Sequence, residues 1–192
     1  MNCIILGSGK GTNVKAILES WSQNQLNNAK IKAVLSDNKD SPTLKIANSF
    51  SVASRHVKLN DNSAFISPED NKALINAIDD FNPDLIVLAG FMKILSQEFI
   101  EHYKEKVINI HPSLLPSFKG RYAIKRAFEH GVKISGCTVH WVSKDVDSGK
   151  IIAQAPVRVM DSDTIESLTT KIQCAEHLLL PSVIANLSVG LS

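Results

Sequence analysis

Short β-branched runs separated by longer segments of helical pattern set the first constraint on this chain. The strand-like runs fall at 3–6, 31–36, 85–89, 107–110, 138–142 and 151–159. The helical segments fall at 13–23, 42–50, 68–81, 96–103, 123–130 and 164–187. In the last of these Leu168, Ile172, Ala175 and Leu179 recur at helical spacing. The first three strands, with the helices between them, have βαβ spacing, which calls for parallel pairing and helices on both faces. The last third differs: 136–142 and 151–159 are joined by the polar turn 143–150, a hairpin pattern. The expected fold is α/β, a Rossmann-like, mostly parallel sheet flanked by helices. An antiparallel hairpin lies in its C-terminal third and a long C-terminal helix closes it. With 192 residues and no linker, repeat or low-complexity segment, residues 1–192 are expected to form a single domain.

Charge and cysteine usage narrow the possible partners. Net charge is +2, with acids and bases mixed along the chain, so there is no electrostatic case for nucleic acid or a membrane surface. The uninterrupted apolar runs are too short to span a bilayer, and the N-terminus opens on a strand pattern without a basic, cleavable leader. Cys3, Cys137 and Cys174 are odd in number and widely spaced, which gives neither a disulfide framework nor a metal knuckle. The expectation is a cytoplasmic protein, monomer or homodimer, that binds small molecules and no metal.

In open α/β sheets, ligands bind outside the carboxyl ends of the strands. Three segments share that edge. The first is Leu6-Gly-Ser-Gly-Lys-Gly-Thr-Asn13, whose backbone N–H groups can cradle a phosphate at a helix N-terminus. It fits neither common nucleotide motif. The dinucleotide fingerprint needs its third glycine one residue beyond Gly11, and a triphosphate loop ending in Gly9-Lys10 needs a glycine where Ile4 stands. A phosphate monoester suits it; the alternative is a turn that binds nothing. The second is Leu88-Ala-Gly-Phe-Met-Lys-Ile-Leu95, where Gly90 allows close backbone approach. Its apolar side chains, with free backbone amides, suit a planar heterocycle or simply pack in the core.

The third is Val107-Ile-Asn-Ile-His-Pro-Ser-Leu-Leu-Pro116. It carries Asn109 and His111 out on a buried strand, an amide donor and an imidazole fit for acyl transfer. An isolated Asn-x-His could equally end a strand and begin a turn. In the hairpin turn Asp145-Val-Asp-Ser-Gly149, Asp147 is positioned to orient His111 if the two meet; Asp and Gly also belong in turns for their own sake. His140 faces either the core or the site. Ser113 could serve a Ser-His-Asp hydrolase, but no nucleophile elbow is present.

Taken in order, these motifs, with Gly-Cys-Thr-Val-His-Trp-Val at 136–142 and Asp-Ser-Gly-Lys-Ile-Ile-Ala-Gln at 147–154, closely resemble the phosphoribosylglycinamide formyltransferase family of purine synthesis. The resemblance runs from Cys3 to about Leu187. It implies N10-formyltetrahydrofolate as co-substrate and the amine of a phosphoribosyl glycinamide as acceptor. It assigns Asn109, His111 and Asp147 to catalysis, and Gly11, Thr12 and Asn13 to the phosphate. Gln173 and Glu176 would contact the ribonucleotide, with Gly90 and Pro112 at the junction of the two substrates. Met92, Lys93, Ile94, Leu95, Asn109 and Val142 would line the folate site. Three features depart from the family, one being the end at Ser192, short of the tail common in relatives. Some members carry a folate-tail arginine in a Ser-Arg-Glu run where this chain reads Ser67-Pro68-Glu69, and Arg121-Tyr122 stands where an apolar residue is usual.

The same resemblance frames the rivals. A formyltetrahydrofolate deformylase would carry an added N-terminal domain and His-His-Ser in place of His111-Pro112-Ser113. A methionyl-tRNA formyltransferase would need a further C-terminal domain. A third possibility is a nucleotide-binding module without catalysis.

Overall fold

The computed structural model describes residues 1–60 and 63–190; Asp61, Asn62, Leu191 and Ser192 lie outside it, the last two at the end of the expected 1–192 unit. The chain folds as β1 Asn2–Leu6, α1 Thr12–Ser22, β2 Lys30–Ser36, α2 Pro42–Ser49, β3 Ala53–His56, α3 Pro68–Asp79 and β4 Leu85–Leu88. It continues as α4 Gln97–His102, β5 Val107–His111, α5 Ala123–His130, β6 Ile134–Trp141, β7 Ile151–Arg158 and α6 Ile165–Gly190. All seven strands join one sheet in the order β3-β2-β1-β4-β5-β6-β7. Pairing is parallel from β3 to β5 and antiparallel across β5–β6 and β6–β7. The α/β class, the six helices, the C-terminal hairpin and the long last helix match the sequence expectation.

The strand the periodicity did not reveal is β3, Ala-Ser-Arg-His, which has no β-branched residue. It sits at the sheet edge, pairs only with β2, and is mostly solvent-facing, so ladder hydrogen bonds rather than burial hold it. Its apolar anchors, Val52 and Val57, lie just outside it and are buried.

Alternation along the central strands builds two cores. Cys3, Ile5, Leu85, Val87, Ile108, Ile110, Cys137 and Val139 point to one face, where α1 and α6 pack. Ile4, Leu6, Ile86, Leu88 and Val107 point to the other, where Leu74 and Ile78 of α3 and Phe99 of α4 cover them. Full burial of such side chains stabilises by about 1.5–3 kcal/mol each relative to exposure. Local chemistry sets the helix ends. Ser41, Ser67 and Ser96 each accept a backbone N–H as N-caps, and Pro42 and Pro68 occupy first-turn positions.

By length and composition α6 could cross a bilayer. Individual apolar runs understate it because polar residues interrupt the sequence without dominating the helix. Here Leu168, Ile172, Leu180, Val183 and Ile184 of α6 are buried against the sheet, which makes it a core helix of this fold.

Candidate active site

On the face covered by α3 and α4, β5 and β6 place polar residues where β1 and β4 place Ile and Leu. Asn109 lies opposite His140 and His111 opposite Thr138 in the β5–β6 register. Asn109 Nδ2 is 3.4 Å from His140 Nε2. The β6–β7 turn starts at the far edge, since Trp141 pairs with Ile108. Residues 143–150 nevertheless fold back across this face. Gly149 makes that reversal possible: a Cβ there would overlap the carbonyl oxygen of Trp141.

The returning loop delivers Asp147. Its Oδ2 is 3.2 Å from His111 Nδ1, and both side chains are more than nine-tenths buried. The same oxygen accepts the Gly120 amide at 2.8 Å, and Oδ1 lies 3.7 Å from His140 Nε2. Burial pushes the Asp147 carboxyl upward, but His140, the Gly120 amide and the nearby charge of His111 outweigh it and hold it below its ordinary value. Asp147 is therefore ionised at neutral pH. His111 Nε2 lies 3.0 Å from the carbonyl of Phe118. With an acceptor at each ring nitrogen, a protonated His111 can donate to both at once. The sequence allowed this His–Asp contact; the folded-back loop supplies it.

The glycine-rich turn sits at the end of β1, with β4 between it and β5. Gly7 N donates to Leu35 O at 3.0 Å and Ser8 N to Gly90 O at 3.1 Å, tying the turn to β2 and to the segment after β4. Ser41 and Thr43 hydroxyls donate to the Gly9 carbonyl at 3.2 and 3.3 Å. Gly11 caps α1 with φ 76°, and a Cβ there would come within 2.8 Å of Ile46 and 3.2 Å of the Thr43 backbone. Because Gly11 offers no capping side chain, no side-chain cap engages the first amides of α1, the groups an anion would use.

Asn13 Nδ2 donates to Glu176 Oε2 at 2.9 Å, so this turn and α6 meet. The other amide atom, Asn13 Oδ1, is buried without a hydrogen-bond partner. Burial raises the Glu176 carboxyl, and the Asn13 bond only partly offsets it. Gln173 lies one helical turn from Glu176 and is half-buried.

The segment after β4 corrects an expectation. Its amides are not all free: Met92 N donates to Ser8 Oγ at 3.0 Å and Ile94 N to Ala64 O at 2.7 Å. Strand-like pairing of Ile94 with Phe65 accounts for the second. Lys93 Nζ is held by the carbonyls of Asn60 and Ser63 at 2.6 and 2.7 Å. The apolar surface remains, with Met92 exposed, Phe91 and Ile94 half-buried and Leu95 buried. Val142 packs against the same core cluster as Phe91, its amide donating to Val107 O at 2.8 Å. Gly90 and Pro112 are half-buried at the carboxyl ends of β4 and β5.

Three further positions gain a structural meaning. His140 faces the site, as its register opposite Asn109 requires; the β6 alternation was the signal for it. Ser113 is fully buried and donates to Ser117 O at 2.6 Å, so it braces a turn and is no nucleophile. Pro68 starts α3 behind the Ser67 cap, which is the local work of that position here.

Sheet and site together define a Rossmann-like α/β protein with an imidazole–carboxylate pair and an amide at the carboxyl edge of its strands. The formyl transferase family model matches residues 1–184. Phosphoribosylglycinamide formyltransferase of Escherichia coli (strain K12) is 39% identical over 186 residues, covering 96% of this chain and 86% of that protein. The trifunctional purine biosynthetic protein adenosine-3 of Homo sapiens is 38% identical over 97% of this chain, which spans only 18% of that longer protein. The crystal structure of glycinamide ribonucleotide transformylase 1 from Symbiobacterium toebii superposes with a TM-score of 0.91 at 37% identity, covering 99% of this chain and 88% of that one. The chain belongs to the formyl transferase family, in its phosphoribosylglycinamide formyltransferase branch.

Proposed function

We propose that residues 1–192 act as one formyltransferase domain. It moves the formyl group of N10-formyltetrahydrofolate to the amine of N1-(5-phosphoribosyl)glycinamide, a step of purine biosynthesis. The observation that carries the reading is the meeting of His111 and Asp147 beside Asn109 on β5, in the sheet whose β1 and β4 strands lead into a turn suited to phosphate and an apolar ledge suited to a flat ring. The substrate phosphate sits on the amides at Gly11, Thr12 and Asn13, with Gln173 and Glu176 alongside. The pteridine lies against Met92–Leu95 and Val142.

The substrate amine attacks the formyl carbon, which builds an oxyanion and an ammonium. Asn109 donates to that oxygen, a contribution of about 3 kcal/mol in comparable sites. His111, held by ionised Asp147, steadies the developing negative charge and passes a proton toward the departing N10 nitrogen. The nucleophile belongs to the substrate, so no covalent enzyme intermediate forms. Cys3, Cys137 and Cys174 are free thiols, in keeping with a reducing cytoplasm.

The test is release of tetrahydrofolate from the formyl donor with and without the ribonucleotide. Release that depends on the ribonucleotide supports the transferase. Release without it indicates a hydrolase, and no release indicates a binding module; either overturns the reading.

A further inference from the structure

We infer that Gln154, on the outermost strand, is a positioning residue for the His111–Asp147 pair, given the catalytic roles proposed for those two groups. Gln154 lies opposite Thr138 in the β6–β7 register. Its Nε2 donates to the Leu115 carbonyl at 2.9 Å and to Thr138 Oγ1 at 3.0 Å. Thr138 Oγ1 also contacts the Ser113 carbonyl at 2.7 Å and the Leu115 amide at 3.0 Å.

Donor accounting fixes every direction in this cluster. The Ser113 carbonyl can only accept, so the single hydroxyl proton of Thr138 goes there. The Leu115 amide can only donate, so it takes one acceptor site of that hydroxyl. The remaining acceptor site then requires an N–H, which orients the Gln154 amide with its nitrogen inward. Thr138, Ser113 and Leu115 are buried, while Gln154 is exposed on the edge strand and closes the cluster from its outer side.

The cluster matters because the chain runs directly from it to the catalytic pair. Ser113 Oγ clamps Ser117 O, and the residues just beyond present the two groups that touch the pair. The Phe118 carbonyl meets His111 Nε2, and the Gly120 amide meets Asp147 Oδ2. Gln154 and Thr138 thus anchor the base of a loop whose far end sets the orientation and charge of both catalytic groups. Their hydrogen bonds go to the backbone of Ser113 and Leu115, so their influence runs through backbone placement. Remote misplacement of this kind can cost up to about a hundredfold in rate.

The experiment uses Gln154→Met, which keeps side-chain length but cannot donate, together with Thr138→Val and Thr138→Ser. In Gln154→Met and Thr138→Val, kcat falls about tenfold or more while KM for the ribonucleotide stays within about twofold. Thr138→Ser, which retains the hydroxyl, restores kcat. A lowered Tm with unchanged kcat would show a merely structural role and overturn the inference. So would unchanged values of both. His111→Asn, run in parallel, separates the two claims. If it remains active, the catalytic reading fails; if it is inactive while Gln154→Met is normal, only the positioning role fails.

Discussion

The β1–β4 half of the sheet and the β5–β6 half use the same face for opposite ends. In the first, Ile4, Leu6, Ile86 and Leu88 are buried under α3 and α4. In the second, Asn109, His111, Thr138 and His140 occupy the matching positions and are covered by returning loops rather than by a helix. Apolar cover gives stability that does not depend on what is bound. Loop cover over polar groups gives an environment that excludes water yet can admit a substrate. Stability and chemistry are thus kept apart along one sheet, strand by strand.

Substitutions in the two halves should therefore fail differently. His111→Asn removes the proton carrier and should lower kcat about a thousandfold with little change in Tm. Unfolding of that variant at the wild-type Tm, measured beside its turnover, checks the separation. Ile86→Ala in the apolar half should destabilise by about 2–5 kcal/mol, while kcat of the folded fraction stays near normal. A denaturant titration alongside an assay well below the midpoint distinguishes the two effects.

Glu176 tests the boundary between the halves, because it is buried and faces the phosphate turn. Glu176→Gln should raise KM for the ribonucleotide about tenfold while raising Tm, since a poorly solvated charge is removed and the Asn13 donor keeps an acceptor. The sign of the pH dependence follows from the raised carboxyl. The folded state holds the proton more tightly than the unfolded chain, so the penalty is absent below the ordinary value of 4.5 and grows as pH rises through the folded value. The Tm advantage of Glu176→Gln should thus be largest at neutral pH and vanish in acid. A Tm advantage independent of pH would contradict the burial of a charge at this position.

Much of this division was legible in the chain itself. The 107–116 run showed β-branched residues interleaved with Asn109 and His111, so a buried strand with a polar edge followed from period-two alternation. The glycine-rich turn was readable because strand, turn and helix succeed one another without a break. What periodicity does not encode is how far a loop travels. Asp147 belongs to a turn at the opposite sheet edge, and only the folded-back 143–150 loop brings it to His111. The same limit hid the bonding of the Met92 and Ile94 amides, which depends on the approach of Ser8 and Ala64. Edge strand β3 escaped notice because its stability comes from hydrogen bonds that any side chain permits.

Everything proposed for the site depends on Asp147, carried back by its loop, holding His111 in its working state. Asp147→Asn keeps the shape and can still accept from the Gly120 amide, but it cannot supply the charge. The decisive measurement is turnover of this variant in the ribonucleotide-dependent assay, with Tm taken on the same sample. The expected result is a Tm near wild type and a kcat reduced by roughly a hundredfold or more. Near-normal turnover in a folded Asp147→Asn protein would contradict the His111–Asp147 assignment.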